Sequence, residues 1–198
     1  MKKLIVYVSG ILFCLFCLFC LGSCDEDYIP KPMGYFRIDL PQKTYLHFNQ
    51  KGYPYSFDYP SYAKIIPIQE KGQNYWIDVS YEDMNAKLHL SYESLFADTS
   101  LSTLIKGTLF YVNRHISKSS GITEVEYEDQ KNKIWGCVYD IKGDEVASTY
   151  QFYLTDSVKH FVRGALYIES VPNNDSLAPV IVFLKKDIDQ MVQSFRWK

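Results

Sequence analysis

Between residues 122 and 168 the chain alternates apolar and polar side chains through four runs, with only a few residues between one run and the next. The runs are Ile122–Glu128, Lys133–Ile141, Val146–Leu154 and Lys159–Ile168; the breaks, Asp129–Asn132, Lys142–Glu145 and Thr155–Ser157, are polar. A period of two with breaks of hairpin length predicts an antiparallel meander. Trp135, Cys137, Tyr139 and Ile141 are expected to face the core, together with Tyr150, Phe152, Leu154, Val162, Leu166 and Ile168.

Two further strands are predicted upstream, at Tyr75–Tyr81 and Lys87–Tyr92, each with clean alternation. Phe57–Pro60 reads as a short strand stopped by proline, residues 42–56 as a loop, and Gly34–Pro41 as a short strand or extended segment. At residues 101–116 the period changes. Leu101, Leu104, Ile105, Thr108, Leu109, Val112, His115 and Ile116 recur at three- and four-residue steps, which predicts an amphipathic helix with Thr99 or Ser100 as its N-cap. A second helix is predicted over Pro179–Phe195, with Ile181, Leu184, Ile188, Met191, Val192 and Phe195 inward and Lys185, Lys186, Asp187 and Asp189 mostly outward. The order of elements is that of an α+β domain: a mainly antiparallel sheet of about six strands with two main helices packed on it.

The amino terminus is organised differently. Lys2 and Lys3 precede an almost wholly apolar run from Ile5 to Leu21, the layout of a secretory leader. It ends in Leu21-Gly22-Ser23-Cys24, which resembles the lipobox of bacterial lipoproteins. That resemblance implies cleavage before Cys24 and acylation of its thiol, and multiple acyl chains hold a protein stably at a membrane. The expected organisation is a signal peptide at 1–23, a lipid-anchored tether at 24–33 (acidic, then carrying Pro30 and Pro32), and one globular domain at 34–198. Removing 23 residues from 198 leaves 175, enough for one good core. Lys2 and Lys3 leave with the leader, so 19 basic residues face 23 acidic ones, a formal net charge of −4 that argues against nucleic-acid binding.

Chemistry is sparse. Cys14, Cys17 and Cys20 lie in the leader between Leu and Phe, where a wrapped metal site has no polar loop to form in. Cys137 sits between Trp135 and Tyr139 at a core-facing strand position and reads as a buried thiol. His47, His89, His115 and His160 show no metal-ligand spacing, and no G-x-S-x-G, P-loop or G-x-G-x-x-G occurs. No catalytic residue, metal or cofactor is assigned. The face of the sheet opposite the predicted core carries Asp78, Ser80, Lys87, His89, Glu124, Glu126, Thr149, Gln151, Tyr153, Arg163 and Tyr167. It is either a solvated or covered face, or a protein-binding one rich in Tyr and Arg. Tyr153, Arg163 and Tyr167, with Tyr35 and Arg37 from the preceding segment, are the candidate partner contacts.

The chain resembles the family of gliding-motility lipoprotein GldD through its lipobox, its short acidic tether and three runs: PKPMGYFRIDLP at 30–41, YPYSFDYP at 53–60 and NAKLHLSY at 85–92. That resemblance implies a lipoprotein tied to surface gliding and type IX secretion. It supplies no catalytic residue, and only Cys24 carries over with a defined role. The order F-x-Y-P strand, helix, meander and closing helix also resembles the PsbP-like α/β/α sandwich, apart from the long aromatic segment at 34–56. The expected function is that of a non-enzymatic accessory or assembly protein, anchored by lipid in the cell envelope (at the outer membrane rather than the inner) and binding other gliding and secretion proteins. The alternative is a carrier of a small apolar ligand or lipid, which needs an internal pocket of about 300 Å³ or more.

Overall fold

The computed structural model describes residues 38–198, apart from residues 70, 71, 73, 96–99, 171 and 172. The leader, Cys24, the tether, Tyr35 and Arg37 lie outside the described residues. Ten strands are described: β1 Tyr45–Phe48, β2 Tyr55–Pro60, β3 Lys64–Pro67, β4 Ile77–Tyr81, β5 Ala86–Ser94, β6 Gly121–Asp129, β7 Ile134–Lys142, β8 Tyr150–Thr155, β9 His160–Ile168 and β10 Arg196–Trp197. Helix α1 spans Leu101–Asn113 and helix α2 spans Asn174–Ser194. Seven strands form one sheet in the order β3-β4-β5-β9-β8-β7-β6, antiparallel throughout, and β1-β2-β10 form a small second sheet.

The meander is present, and its last strand finds an unexpected neighbour. After β5 the chain runs through α1 and starts β6 at the far edge of the sheet. Strands β7, β8 and β9 then step back until β9 pairs with β5 over nine residues, from Ala86↔Ile168 to Ser94↔His160. At the centre of this return, Gly164 stands opposite Phe152. A Cβ there would fall 2.2 Å from the Phe152 ring, so the missing side chain makes room for the aromatic one.

The seven-strand sheet is covered on both faces, which corrects the single core expected from the alternation. Cys137 pairs with Tyr153 and Tyr139 with Gln151, whereas Phe152 pairs with Val138. Successive residues of a strand point to opposite faces. Cys137, Tyr139 and Ile141 therefore pack under α1 with Val112 and Val146. Tyr150, Phe152, Leu154, Val162 and Leu166 pack on the other face with α2 and the small sheet. Ile134, not Trp135, is the fully buried residue at the start of β7.

Other boundaries move for local reasons. Ser100 caps α1, its hydroxyl accepting from the Thr103 N–H at 3.2 Å. The α1 helix stops at Asn113, and a separate 3₁₀ turn follows at Ile116–Lys118. Helix α2 starts five residues before Pro179, because Asn173 supplies its cap by accepting from Ser176 N–H at 3.3 Å. Pro179 falls in the second turn and removes only a bond to the exposed Asp175. Strand β1 replaces part of the expected 42–56 loop, β3 is the seventh strand of the large sheet, and the third alternating run enters its strand only at Tyr150, not Val146.

Asp187 is the largest departure on α2. Expected at the surface, it is 0% exposed. The Lys43 ammonium and the Tyr62 hydroxyl donate to its two carboxylate oxygens, and Tyr45 Oη donates at 3.0 Å. Lys43 also donates to the Phe183 carbonyl at 3.0 Å and sits 3.6 Å from the centre of the Phe183 ring. Lys185 likewise turns inward, to Asp140 at 2.6 Å. The small sheet is further joined to the end of α2 by stacked rings: Phe48 on Phe57 at 5.0 Å, Tyr55 on Phe195 at 5.6 Å, and Phe195 against Trp197 at 4.7 Å.

Breaking a buried ion pair by neutralising one partner leaves the other uncompensated. Asp187→Asn is expected to cost about 2–4 kcal/mol in urea unfolding, less than a fully buried pair because the Lys43 side chain is 25% exposed. The pair Lys43→Met with Asp187→Leu should recover more than half of that loss. Tyr45 gives a pH signature. Burial first, and then its hydrogen bond to Asp187 and the charge of Asp187, push its hydroxyl from 10.0 up to about 12. A group with a raised folded pKa stabilises fully below its unfolded value and loses that contribution as pH rises through the folded one. The melting temperature should therefore fall between pH 10 and about 12, with a shallower fall in Tyr45→Phe.

Candidate functional site

The polar face of the seven-strand sheet can be read as cross-strand rows. One row runs Ser91–Arg163–Tyr153–Cys137–Glu126 across β5, β9, β8, β7 and β6. The next runs Asp78–His89–Ala165–Gln151–Tyr139–Glu124, starting from β4. Tyr153 and Arg163 thus stand directly opposite each other. Tyr167 lies four residues further along β9 on the same face, opposite Lys87.

Helix α1 roofs part of this face and makes it more than a solvated surface. Tyr111 lies over Arg163, with the guanidinium carbon 4.6 Å from the ring centre. Arg163 Nη2 donates to Gln151 Oε1 at 2.6 Å. Arg163 Nε and Gln151 Nε2 are buried and have no hydrogen-bond partner among the described residues. Tyr153 stacks on Phe161 at 5.4 Å. His115, just past the end of α1, is held below its ordinary pKa by burial first and then by the positive charges of Arg114 and Arg163.

The outer side of α1 carries residues that the helical stripe did not single out. Phe110 is 61% and Tyr111 48% exposed, with their rings edge-on at 5.8 Å. Phe110 falls off the stripe through Leu104, Thr108 and Val112 whereas Tyr111, seven residues from Leu104, sits at its edge, and an aromatic residue on the polar side of an amphipathic helix was the available signal. Ile116, predicted inward, is 56% exposed in the turn after α1.

Beyond α1 the face is polar and paired. His89 Nδ1 lies 2.7 Å from Asp78 Oδ1, with Trp76 edge-on to the imidazole at 5.5 Å. Lys87 Nζ meets Glu169 Oε1 at 2.5 Å, and that bond raises the amine's pKa. A surface groove of 330 Å³ lies here, lined by Asp78, Ser80, Lys87 and Glu169 among others. A larger one of 640 Å³ runs between the start of α2 and residues 117–120 and is lined by Lys118, Lys142, Lys185 and several serines. The smaller groove is mixed in polarity, the larger sets Ile141, Ala178, Ile181 and Val182 beside its lysines, and both are open surface grooves rather than the enclosing apolar pocket that a lipid carrier needs.

Cys137 is 1% exposed and its Sγ donates to Glu124 Oε1 at 3.4 Å. Burial pushes the thiol up to about 11, away from the range of a nucleophilic thiolate. Among the described residues no group of three or more His, Cys, Asp or Glu side chains is placed to hold a metal ion, and no helix is long and apolar enough to cross a membrane.

The sequence model of a family described as "Gliding motility lipoprotein GldD" matches residues 25–197. No curated protein matches the chain. Among solved structures, the solution structure of cyanobacterial PsbP (CyanoP) from Synechocystis sp. PCC 6803 is similar, with a TM-score of 0.50 and 13% identity over 90% of this chain and 99% of that one. That likeness establishes the PsbP-like fold expected from the order of elements.

With Cys24 lipidated or replaced by serine, Cys137 is the thiol a reagent can report. At about pH 8 a thiol with a pKa of about 11 is thiolate in roughly one molecule per thousand. A disulfide reagent should label the native domain at least about a hundredfold more slowly than the urea-unfolded chain. Equal rates would show that α1 does not shield it.

Proposed function

The chain belongs to the gliding-motility lipoprotein GldD family, and on that footing we propose that it is a lipid-anchored, non-enzymatic accessory protein of the gliding and type IX secretion machinery, acting by binding other envelope proteins. Cys24 is the lipid attachment site in this reading, and the outer membrane is the favoured location. The observation that supports binding is the surface of α1, where two neighbouring aromatic rings stand exposed and Arg163 underpins one of them. Exposed aromatics held rigidly over a polar network suit a protein contact, since little side-chain freedom is lost on docking. Arg163 and Tyr153 act here as supports beneath α1. Tyr167, half-buried on the unroofed part of the face, is a second contact; Tyr35 and Arg37, outside the described residues, are proposed as further contacts.

Two measurements separate the parts of this reading. Cys24→Ala should move the protein from the membrane to the soluble envelope fraction, and unchanged partitioning would remove the anchor assignment. Crosslinking pull-down of the tagged protein from gliding cells should recover envelope proteins. Phe110→Ala with Tyr111→Ala should reduce that recovery about tenfold while leaving the membrane fraction unaltered. Recovery of no envelope protein by the wild type would overturn the binding function.

A further inference from the structure

Strand β6 forms one edge of the seven-strand sheet. Its nine residues pair on one side with β7, from Gly121↔Lys142 to Asp129↔Ile134, and no described strand pairs on the other. A fully exposed edge of this length offers about 30 Å of unpaired backbone N–H and C=O groups. The opposite edge, β3, is four residues long and ends in Pro67, a residue that blunts an edge. The two edges are therefore not equivalent.

The side chains of β6 divide by face. Glu124, Glu126 and Glu128 lie on the α1 side, in register with Tyr139, Cys137 and Trp135. Thr123, Val125 and Tyr127 lie on the α2 side and line a surface groove of 260 Å³ completed by Val138, Tyr150 and Val192, with Asp140 and Asp189 at its wall already engaged by Lys185 and the Tyr150 hydroxyl. Val125 is 55% exposed there. A strand added to this edge would send alternate side chains to the two faces. Those on one side would enter a mainly apolar groove whose two aspartates are already paired, and those on the other would stand beside three carboxylates.

A second copy of the chain fits poorly. Pairing β6 with the β6 of a second copy, faces matched, sets the glutamate row of one copy against the glutamate row of the other. Like charges directly opposite each other destabilise a strand pair. The same row favours a cationic partner.

We propose that β6 is a strand-addition site for an extended protein segment in which basic residues alternate with apolar ones. This rests on the reading that the chain works by binding proteins, and it names the chemistry of one such partner. Backbone bonds along β6 supply affinity without reading sequence; the glutamate row and the groove supply the selectivity.

The test uses the lipid-free mature chain and three synthetic peptides: one alternating Lys and Val, one of the same composition with all Lys before all Val, and one alternating Glu and Val. The alternating Lys peptide should bind at least about tenfold more tightly than the block peptide, and binding should weaken with salt. Hydrogen exchange of the wild type should show added protection at residues 121–129. In Glu124→Lys with Glu126→Lys the preference should switch to the Glu peptide, with the melting temperature showing that the domain is folded. Equal binding of the two Lys peptides would reduce the effect to charge alone and overturn the proposal, as would protection confined to other strands or dimerisation through this edge. A failed peptide titration alongside successful capture of envelope proteins would remove this site and leave the binding function standing.

Discussion

The carboxylate of Asp187 is the constraint on which the rest of the domain depends. It lies inside the molecule on α2 and receives donors from Lys43, Tyr45 and Tyr62, all of them more than a hundred residues away in sequence. A buried charge is tolerated only when it is paired and hydrogen-bonded. One side chain therefore dictates where β1, the turn after β2 and the outer side of α2 must sit. The aromatic stack through Phe48, Phe57, Tyr55 and Phe195 joins the same small sheet to the far end of α2. Apolar packing alone would hold the small sheet against the helix with many near-equivalent fits. The directional bonds to Asp187 select among them.

The chemistry of the polar face follows from the same two-sidedness of the large sheet. With α2 on one face, the other needs only a partial cover, and α1 supplies it over β8 and β9. Gln151 and Thr149, polar residues that alternation alone assigns outward, are 1% and 5% exposed. Arg163 is trapped between this layer and Tyr111. Tyr111 is thereby mounted on a fixed base with Phe110 edge-on beside it, which distinguishes the pair from apolar residues scattered singly over a surface.

Much of this architecture was legible beforehand, and the reasons for the rest are physical. The four meander runs were readable because alternation and hairpin spacing are local properties, as was the helix begun by Ser100. The pairing of β5 with β9 was not, since nothing in the sequence between residues 94 and 121 states which strand the returning chain will meet. The assignment of Cys137 and Phe152 to one core failed because β7 and β8 are buried on both faces, so alternation marks two apolar sets without saying which sets share a face. Asp187 was placed outside by its charge and its position among Lys185, Lys186 and Asp189. Its partner Lys43 lies 144 residues away, beyond the reach of any helical period. The aromatic pair on α1 was passed over because the helical stripe marks only the residues that face the sheet, and Phe110 lies off it.

The nine-residue ladder between β5 and β9 also has a kinetic consequence. Its closest pair, Ser94 with His160, encloses a loop of more than sixty residues, and the Lys43–Asp187 link encloses more than twice as many. Such closures must be made before the large sheet and its buried charge reach their final arrangement, and non-local pairings of this kind slow folding. The domain therefore completes itself only when nearly its whole length is available. Under the proposed reading of residues 1–23 as a secretory leader, a late-closing sheet keeps the chain unfolded during its passage across a membrane.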